Sequence, residues 1–331
     1  MARVFVTGGS GFIGGALAAR LHERGDAVVA LPRSDAAAAA VARRGAEVAR
    51  GDVLDEDSLA AGMAGCVLAY HVAGINTHCP SDPAMLLRVN VEGAEAAVRA
   101  AARAGVGRLV LTSSAASVGE AAGTVGREDT PHRGSYLSLY DRSKHRGEQA
   151  AFAAGRRLGV EVVAINPSSV QGPGRAAGNG EIIIAYLNGR LRAFVDTYVS
   201  VVDVDDTVDG HLLAAERGRG GERYVLNGAT IPAREALDIV SELSGIRDPV
   251  RMLPPALARW GAALAEGVAR SRGRTSSLCR ARVRTILHGH RYDGSRATRE
   301  LGLRYTPVAD TFRRTIDWAV AEGLVTRPLP R

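Results

Sequence analysis

Tyr140 and Lys144 stand four residues apart in the stretch YDRSK, and Lys144 is the only lysine among 42 basic side chains. In a helix that spacing puts both side chains on one face. The type of cation matters: arginine is a planar, permanently charged fork, whereas lysine is a compact ammonium with three donors on a flexible stem. A phenol titrates at about 10, so a cation close by is what favours its phenolate. Phenol and ammonium on one face are therefore suited to moving a proton. Thr112-Ser113-Ser114 place hydroxyls at the end of an apolar run. If that run is a strand of a parallel sheet, they sit at its ligand-binding edge.

A second signal lies at residues 7–14, TGGSGFIG, where Gly8, Gly11 and Gly14 recur every three residues between an apolar run and a helical stretch. Missing side chains let the backbone approach a pyrophosphate, and a helix N-terminus favours the anion. The loop predicts a dinucleotide site built on Gly8, Gly11, Phe12, Ile13 and Gly14. At the end of the second run, where an acid would accept from the adenosine ribose, the chain reads Leu31-Pro32-Arg33-Ser34. Arg33 suits a 2′-phosphate, so NADP(H) is expected over NAD(H), although a surface arginine in an arginine-rich chain would look the same. Asp52-Val53 fall where an adenine edge is read, and Ala73-Gly74 fall beside the ribose.

These residues need a frame that brings loop ends together. Strands are predicted at Val4-Val6, Ala27-Leu31, Ala46-Ala49, Val67-Val72, Leu109-Thr112 and Val162-Ile165. Helices are predicted near Gly11-Arg24, Asp35-Arg44, Glu56-Met63, Pro83-Ala104 and Tyr140-Leu158. Continuous apolar strands alternating with helices predict an α/β fold, a doubly wound parallel sheet of the Rossmann type. After Gln171-Gly172-Pro173-Gly174 the regularity weakens, and a smaller, mostly helical C-terminal substrate lobe is expected. The predicted division is 1–170 for the dinucleotide domain, with 199–227 returning to it, and 171–198 with 228–331 for the lobe.

Composition narrows the function classes. The chain has 331 residues and a formal charge of +7, but its arginines are spread and interleaved with acids, so no nucleic-acid partner is expected. Arg3-Val4-Phe5-Val6 already reads as a buried strand, so no leader is expected, and no charge-free apolar run reaches the roughly 18 residues of a membrane span. Leu257–Val268, broken by Arg259 and Glu266, reads as an amphipathic helix. Cys66, Cys79 and Cys279 lie far apart without paired spacing, so no disulfide framework is expected and a reduced, cytoplasmic setting is. No metal is expected either; the one close histidine pair, His288-Gly289-His290, reads as solvent-exposed or substrate-facing.

Taken together, TGGSGFIG, VNVEGAE (Val89-Glu95), LTSSAASVG (Leu111-Gly119), YDRSK and NPSSVQGPG (Asn166-Gly174) resemble the extended short-chain dehydrogenases/reductases, also called the NAD-dependent epimerase/dehydratase family. VDVDDTVDGHLLA at Val202-Ala214 and DGSRATRELGL at Asp293-Leu303 extend the resemblance over essentially the whole chain, with the dihydroflavonol-reductase-like branch most similar. The resemblance implies that Tyr140 exchanges a proton with the substrate oxygen and that Lys144 supports it while reaching the nicotinamide ribose. It implies that Ser114, with Ser113 in reserve, holds the substrate oxygen, and that the segment from Pro167 to Val170 passes the nicotinamide. Asn90 is either a structural tie or part of a proton relay, and Asp205-Asp206 are expected to cap and position a helix. A homodimer through helices near Pro83-Ala104 and Tyr140-Leu158 is what the family implies.

Several outcomes share this machinery. Dehydratases of the family place an acidic pair after the serine, where Ala115-Ala116 stand here. Epimerases often carry a tyrosine and a glycine where this chain has Val118 and Asp141, yet Asn166-Pro167 resembles their diphosphate segment. The expected activity is reduction of a small ketone or aldehyde, or oxidation of a secondary alcohol, with a sugar or sugar-nucleotide epimerase holding NAD and a non-catalytic dinucleotide sensor as alternatives. Ile75, His78, Cys79, Glu120 and Tyr136 are the expected substrate-lining residues.

Overall fold

The computed structural model describes residues 1–272 and 279–330. Strands are β1 (Arg3–Thr7), β2 (Ala27–Leu31), β3 (Glu47–Val48), β4 (Leu68–His71), β5 (Arg108–Thr112), β6 (Glu161–Pro167), β7 (Ser169–Gln171), β8 (Ala193–Val195), β9 (Tyr198–Asp203), β10 (Arg223–Leu226), β11 (Ala229–Pro232) and β12 (Arg251–Leu253). Helices are α1 (Phe12–Glu23), α2 (Asp35–Ala42), α3 (Glu56–Met63), α4 (Pro83–Leu87), α5 (Gly93–Arg103), α6 (Leu139–Leu158), α7 (Asn179–Leu187), α8 (Val204–Arg217), α9 (Ala233–Ser244), α10 (Pro255–Ser271), α11 (Arg280–His288) and α12 (Val308–Ala321).

Seven strands form one sheet in the order β3-β2-β1-β4-β5-β6-β10, each neighbouring pair parallel. The two-residue period of a strand explains why both faces are covered. Val4 and Val6 point to one core with Leu17 and Leu21 of α1 and Val208 and Leu212 of α8. Phe5, between them, points to the other with Leu59 of α3 and Ala94, Ala97 and Ala101 of α5. Phe5, Leu17 and Leu59 are fully buried, each contributing about 2 kcal/mol of apolar burial. The order reverses between β1 and β4, so a crevice opens at the carboxyl ends of those strands.

The lobe carries its own small sheets, β11-β9-β7 and β12-β8. Arg223–Leu226 extends the main sheet beside β6, whereas Tyr198–Asp203 pairs with β7 and β11. Ile183, Leu187, Val240, Phe312 and Ile316 form the lobe's core between α7, α9 and α12.

Two local expectations are corrected. The single helix predicted over Pro83-Ala104 is interrupted by a π turn at Arg88–Glu92, whose extra residue turns Asn90 into the protein. Cys79 and Cys279 form a disulfide across 200 residues, joining the loop after β4 to the start of α11; no sequence spacing could show a pairing made by two remote loops. On α10 the apolar stripe Leu257, Trp260, Leu264 faces outward, 58%, 76% and 71% exposed, while Ala262 packs inward. No described helix is long and apolar enough to cross a membrane.

Candidate active site

The crevice at the ends of β1 and β4 begins with the glycine loop. Gly8 has φ 72°, in the region glycine favours, and a Cβ there would lie 2.8 Å from Ala73 N. A Cβ on Gly14 would lie 2.3 Å from the Gly8 carbonyl oxygen. The loop is therefore pressed against its own helix and against the end of β4. Gly11 caps α1 without any side-chain hydrogen bond, leaving the first-turn N–H groups to an outside acceptor. This cradle fits a dinucleotide pyrophosphate, with Gly8, Gly11, Phe12, Ile13 and Gly14 in the positions expected to hold it.

Farther along, Arg33 is exposed at the end of β2, and its guanidinium stands 3.8 Å from Asp52. The Asp52 carboxylate also accepts from Leu54 N at 2.9 Å, which fixes the turn carrying Val53 against Gly93. Gly74 follows β4 where a Cβ would meet Asn90 Oδ1 at 3.1 Å and Lys144 Nζ at 3.7 Å. Asn90 is the clamp of this corner: its amide accepts from Ile75 N and donates to Ile75 O and Ser143 Oγ, tying the loop after β4 to α6. The structural tie is the role its hydrogen bonds fill.

α6 presents the tyrosine and the lysine. Ser138 caps it by accepting from Asp141 N at 3.2 Å, and also donates to the Asp141 carboxylate at 2.7 Å. Tyr140 thus lies in the first turn, at the positive end of the helix dipole, where a phenolate is favoured. Burial pushes its phenol up from the ordinary value, and the adjacent Ser114 hydroxyl works against that rise. Lys144, one turn on, donates to the Thr112 carbonyl at 2.8 Å. Burial lowers its ammonium to about 8, with buried Glu148 opposing the change. Ser114 caps the short turn Ala115–Ser117, its Oγ accepting from Ala116 N at 3.3 Å. Ser113 is more deeply buried, with its hydroxyl turned toward Ser117.

A cavity of about 640 Å³ collects Ile13, Ser113, Ser114, Tyr140, Pro167 and Val170. A larger groove of about 1160 Å³ under α10 contains none of these residues, so the smaller cavity is the one with the chemistry. Of the expected substrate-lining residues, His78 and Cys79 line the smaller cavity, and the His78 ring meets Tyr140 edge-on at 5.3 Å. Tyr136 instead packs with His132 and His145, and Ile75 serves through its backbone. Asn166 turns inward, donating to Ser114 O, Ser117 Oγ and Glu148. Asp203, rather than Asp205 or Asp206, caps α8; Asp205 pairs with Arg20 and Arg314, and Asp206 holds Thr306.

The lobe supplies residues that sequence reasoning did not single out, Arg175 foremost. It lines the same cavity, stands 5.7 Å over the Phe12 ring, and pairs with no acidic side chain among the described residues. Burial lowers its guanidinium below the ordinary value, while the charge of Tyr140 raises it. Its position after Gly172-Pro173-Gly174, in the first irregular stretch, was the available signal. His288 and His290 are both half-buried, so neither is solvent-exposed; His290 lines the cavity, as a substrate-facing residue would.

The profile of the NAD dependent epimerase/dehydratase family matches residues 4–227. Sterol demethylase protein B of Methylococcus capsulatus is 32% identical over 325 residues, covering 97% of this chain and 99% of its own. The 4-hydroxy-2-methyl-3-oxo-4-farnesyl-3,4-dihydroquinoline-1-oxide ketoreductase of Stigmatella aurantiaca is 33% identical over 307 residues, covering 91% of each chain. The crystal structure of gox2253 superimposes with a TM-score of 0.85 at 31% identity, over 98% of this chain and 100% of that one. With its glycine cradle, parallel sheet and family match in agreement, this chain belongs to the NAD-dependent epimerase/dehydratase family of extended short-chain dehydrogenases/reductases and is an NAD(P)-dependent enzyme.

Proposed function

We propose that the protein is a carbonyl reductase, or secondary-alcohol dehydrogenase, that uses NADP(H) in preference to NAD(H) and acts on a small organic substrate through Ser114, Tyr140 and Lys144. The observation that carries this reading is the capped first turn of α6, which presents Tyr140 into one cavity with Ser114 while Lys144 lies a turn deeper. The bound dinucleotide supplies or removes a hydride at the substrate carbon. Ser114 holds the substrate oxygen, and Tyr140 donates its phenolic proton to that oxygen during reduction or takes it during oxidation. The Lys144 ammonium steadies the phenolate that results. Gly8, Gly11, Phe12, Ile13 and Gly14 hold the pyrophosphate. Arg33, Asp52 and Val53 take the adenosine end, and Ala73, Gly74, Pro167 and Val170 border the nicotinamide half. Arg175, without an acidic partner among the described residues, favours a substrate with an anionic or oxygen-rich group beside the carbonyl.

The epimerase reading draws on Asn166-Pro167, but the Asn166 amide spends its hydrogens on Ser114, Ser117 and Glu148, which favours the reductase. A homodimer joined through α5 and α6 completes the reading, and light scattering after gel filtration tests the dimer. Function is tested by purifying the protein without added cofactor, denaturing it and identifying any nucleotide released. An empty site that binds NADPH reversibly is expected; stoichiometric NAD would favour the epimerase. Tyr140→Phe should then keep NADPH binding while lowering turnover by about 100-fold or more. Turnover left at the wild-type rate would remove Tyr140 from the mechanism.

A further inference from the structure

Glu120 follows the Ala115–Ser117 turn and is 1% exposed. Two imidazoles from the far end of the chain close on it. His288 ends α11, Gly289 turns the backbone at φ 65°, and His290 follows, so both rings face the same carboxylate. His290 Nδ1 bonds Glu120 Oε1, and His288 Nε2 stands 3.4 Å from that oxygen without hydrogen-bond alignment. One ligand atom from each of the three residues lies within 4.8 Å of the others.

Hydrogen bonding alone does not satisfy this cluster. Glu120 Oε2, His288 Nε2 and His290 Nε2 are buried and have no hydrogen-bond partner among the described residues. Buried polar groups are ordinarily paired, so three orphans on three adjoining side chains call for an occupant. Two imidazoles and one carboxylate are a donor set that Zn²⁺ takes with one position left open, and that other first-row ions such as Fe²⁺ also accept. The Tyr292 hydroxyl, 2.9 Å from His290 Nδ1, adds an oxygen at the edge. The geometry points to a binding site for one divalent transition-metal ion, Zn²⁺ by its donor chemistry, held by Glu120, His288 and His290. Because His290 and Tyr292 line the cavity that Tyr140 lines, the ion forms part of its wall. It also ties the segment after α11 to the loop after β5. This inference does not depend on which carbonyl compound is reduced.

The test uses the full chain without a histidine tag, stripped with a chelator and titrated with ZnCl₂ by calorimetry. One saturable equivalent per chain is expected, and Glu120→Gln or His288→Gln should each weaken it by about 100-fold or more. Cobalt loading gives a second readout: the ligand-field bands of a four-coordinate nitrogen and oxygen site are expected, without thiolate charge transfer. NADPH binding, measured on each variant, verifies folding. His132 and His145, whose tilted rings lie 4.3 Å apart, are the control pair. Replacing both with alanine should leave the zinc equivalent in place. The proposal is overturned if the wild type binds no stoichiometric zinc, if folded Glu120→Gln and His288→Gln bind it unchanged, or if binding disappears with His132 and His145.

Discussion

Lys144 differs from the chain's arginines in the one respect that pH can reveal. Its ammonium is lowered to about 8 by burial, against an ordinary lysine above 10, so it loses its charge within the working range of an assay. In the proposed mechanism, reduction needs that charge beside Tyr140. The kcat/KM for reduction should therefore decline above about pH 8. In Lys144→Arg the guanidinium stays charged, so that decline should vanish while the overall rate falls, because the fork does not fit where a compact ammonium did. A rate profile from pH 6 to 10 decides it; the same alkaline limb in both proteins would assign the titration elsewhere. Arg33 makes a comparable test at the other end of the crevice. Arg33→Ala should weaken NADPH binding by roughly tenfold or more and leave NADH nearly unchanged, since only one carries a 2′-phosphate. Equal losses would dismiss the preference.

At the scale of elements, the disulfide joins two segments that border the cavity: the loop bearing His78 and Cys79, and the start of α11. Cross-linking residues so far apart in sequence restricts the unfolded chain strongly, by about 5 kcal/mol in an entropic account. Cys79→Ser should lower the thermal midpoint by about 5 °C or more and raise the KM for the carbonyl substrate, while the Kd for NADPH, set by the glycine loop, stays put. An unchanged KM would mean that the loop keeps its place without the bond. The elements readable in sequence are those with local causes. β2 and α3 match their expected bounds to the residue, Gly8 and Gly14 lie in the close-packed turn that opens α1, and Tyr140 and Lys144 share α6. What was not readable depends on proximity across the fold: the Cys79–Cys279 bond, the π turn behind Asn90, the pairing of β9 with β7, and the meeting of Glu120 with His290. The hydrophobic pattern of Pro83-Ala104 runs through the π turn unbroken, so periodicity alone could not reveal it.

For the whole molecule, two buried histidines set the acid limit. His211 donates from Nδ1 to the Thr207 carbonyl at 2.7 Å and accepts from the Thr112 hydroxyl at 2.7 Å, so the fold holds the neutral ring; burial lowers it to about 4. His71, beside the Thr7 hydroxyl, is lowered to about 3 by burial and then by Lys144. Both folded values lie below the unfolded value of about 6.5, so the unfolded chain binds more protons and stability is lost as pH falls from there toward 4. Each should cost about 2 kcal/mol at pH 5. The urea midpoint should accordingly fall between pH 7 and pH 5; a constant midpoint would mean that these rings do not stay neutral in the fold.

The same sole lysine gives the molecule an unusual covalent surface. Apart from the N-terminal amine, Lys144 is the one primary amine in 331 residues, and it is half-buried. Amine-directed acylation therefore meets a single internal target, more nucleophilic near neutrality than an ordinary lysine because its proton is held less tightly. Methylation with isotopic formaldehyde would place one internal resonance beside the crevice, and coupling to activated supports would anchor the protein through its terminus. Reagents that bridge amine to amine would find almost nothing to join.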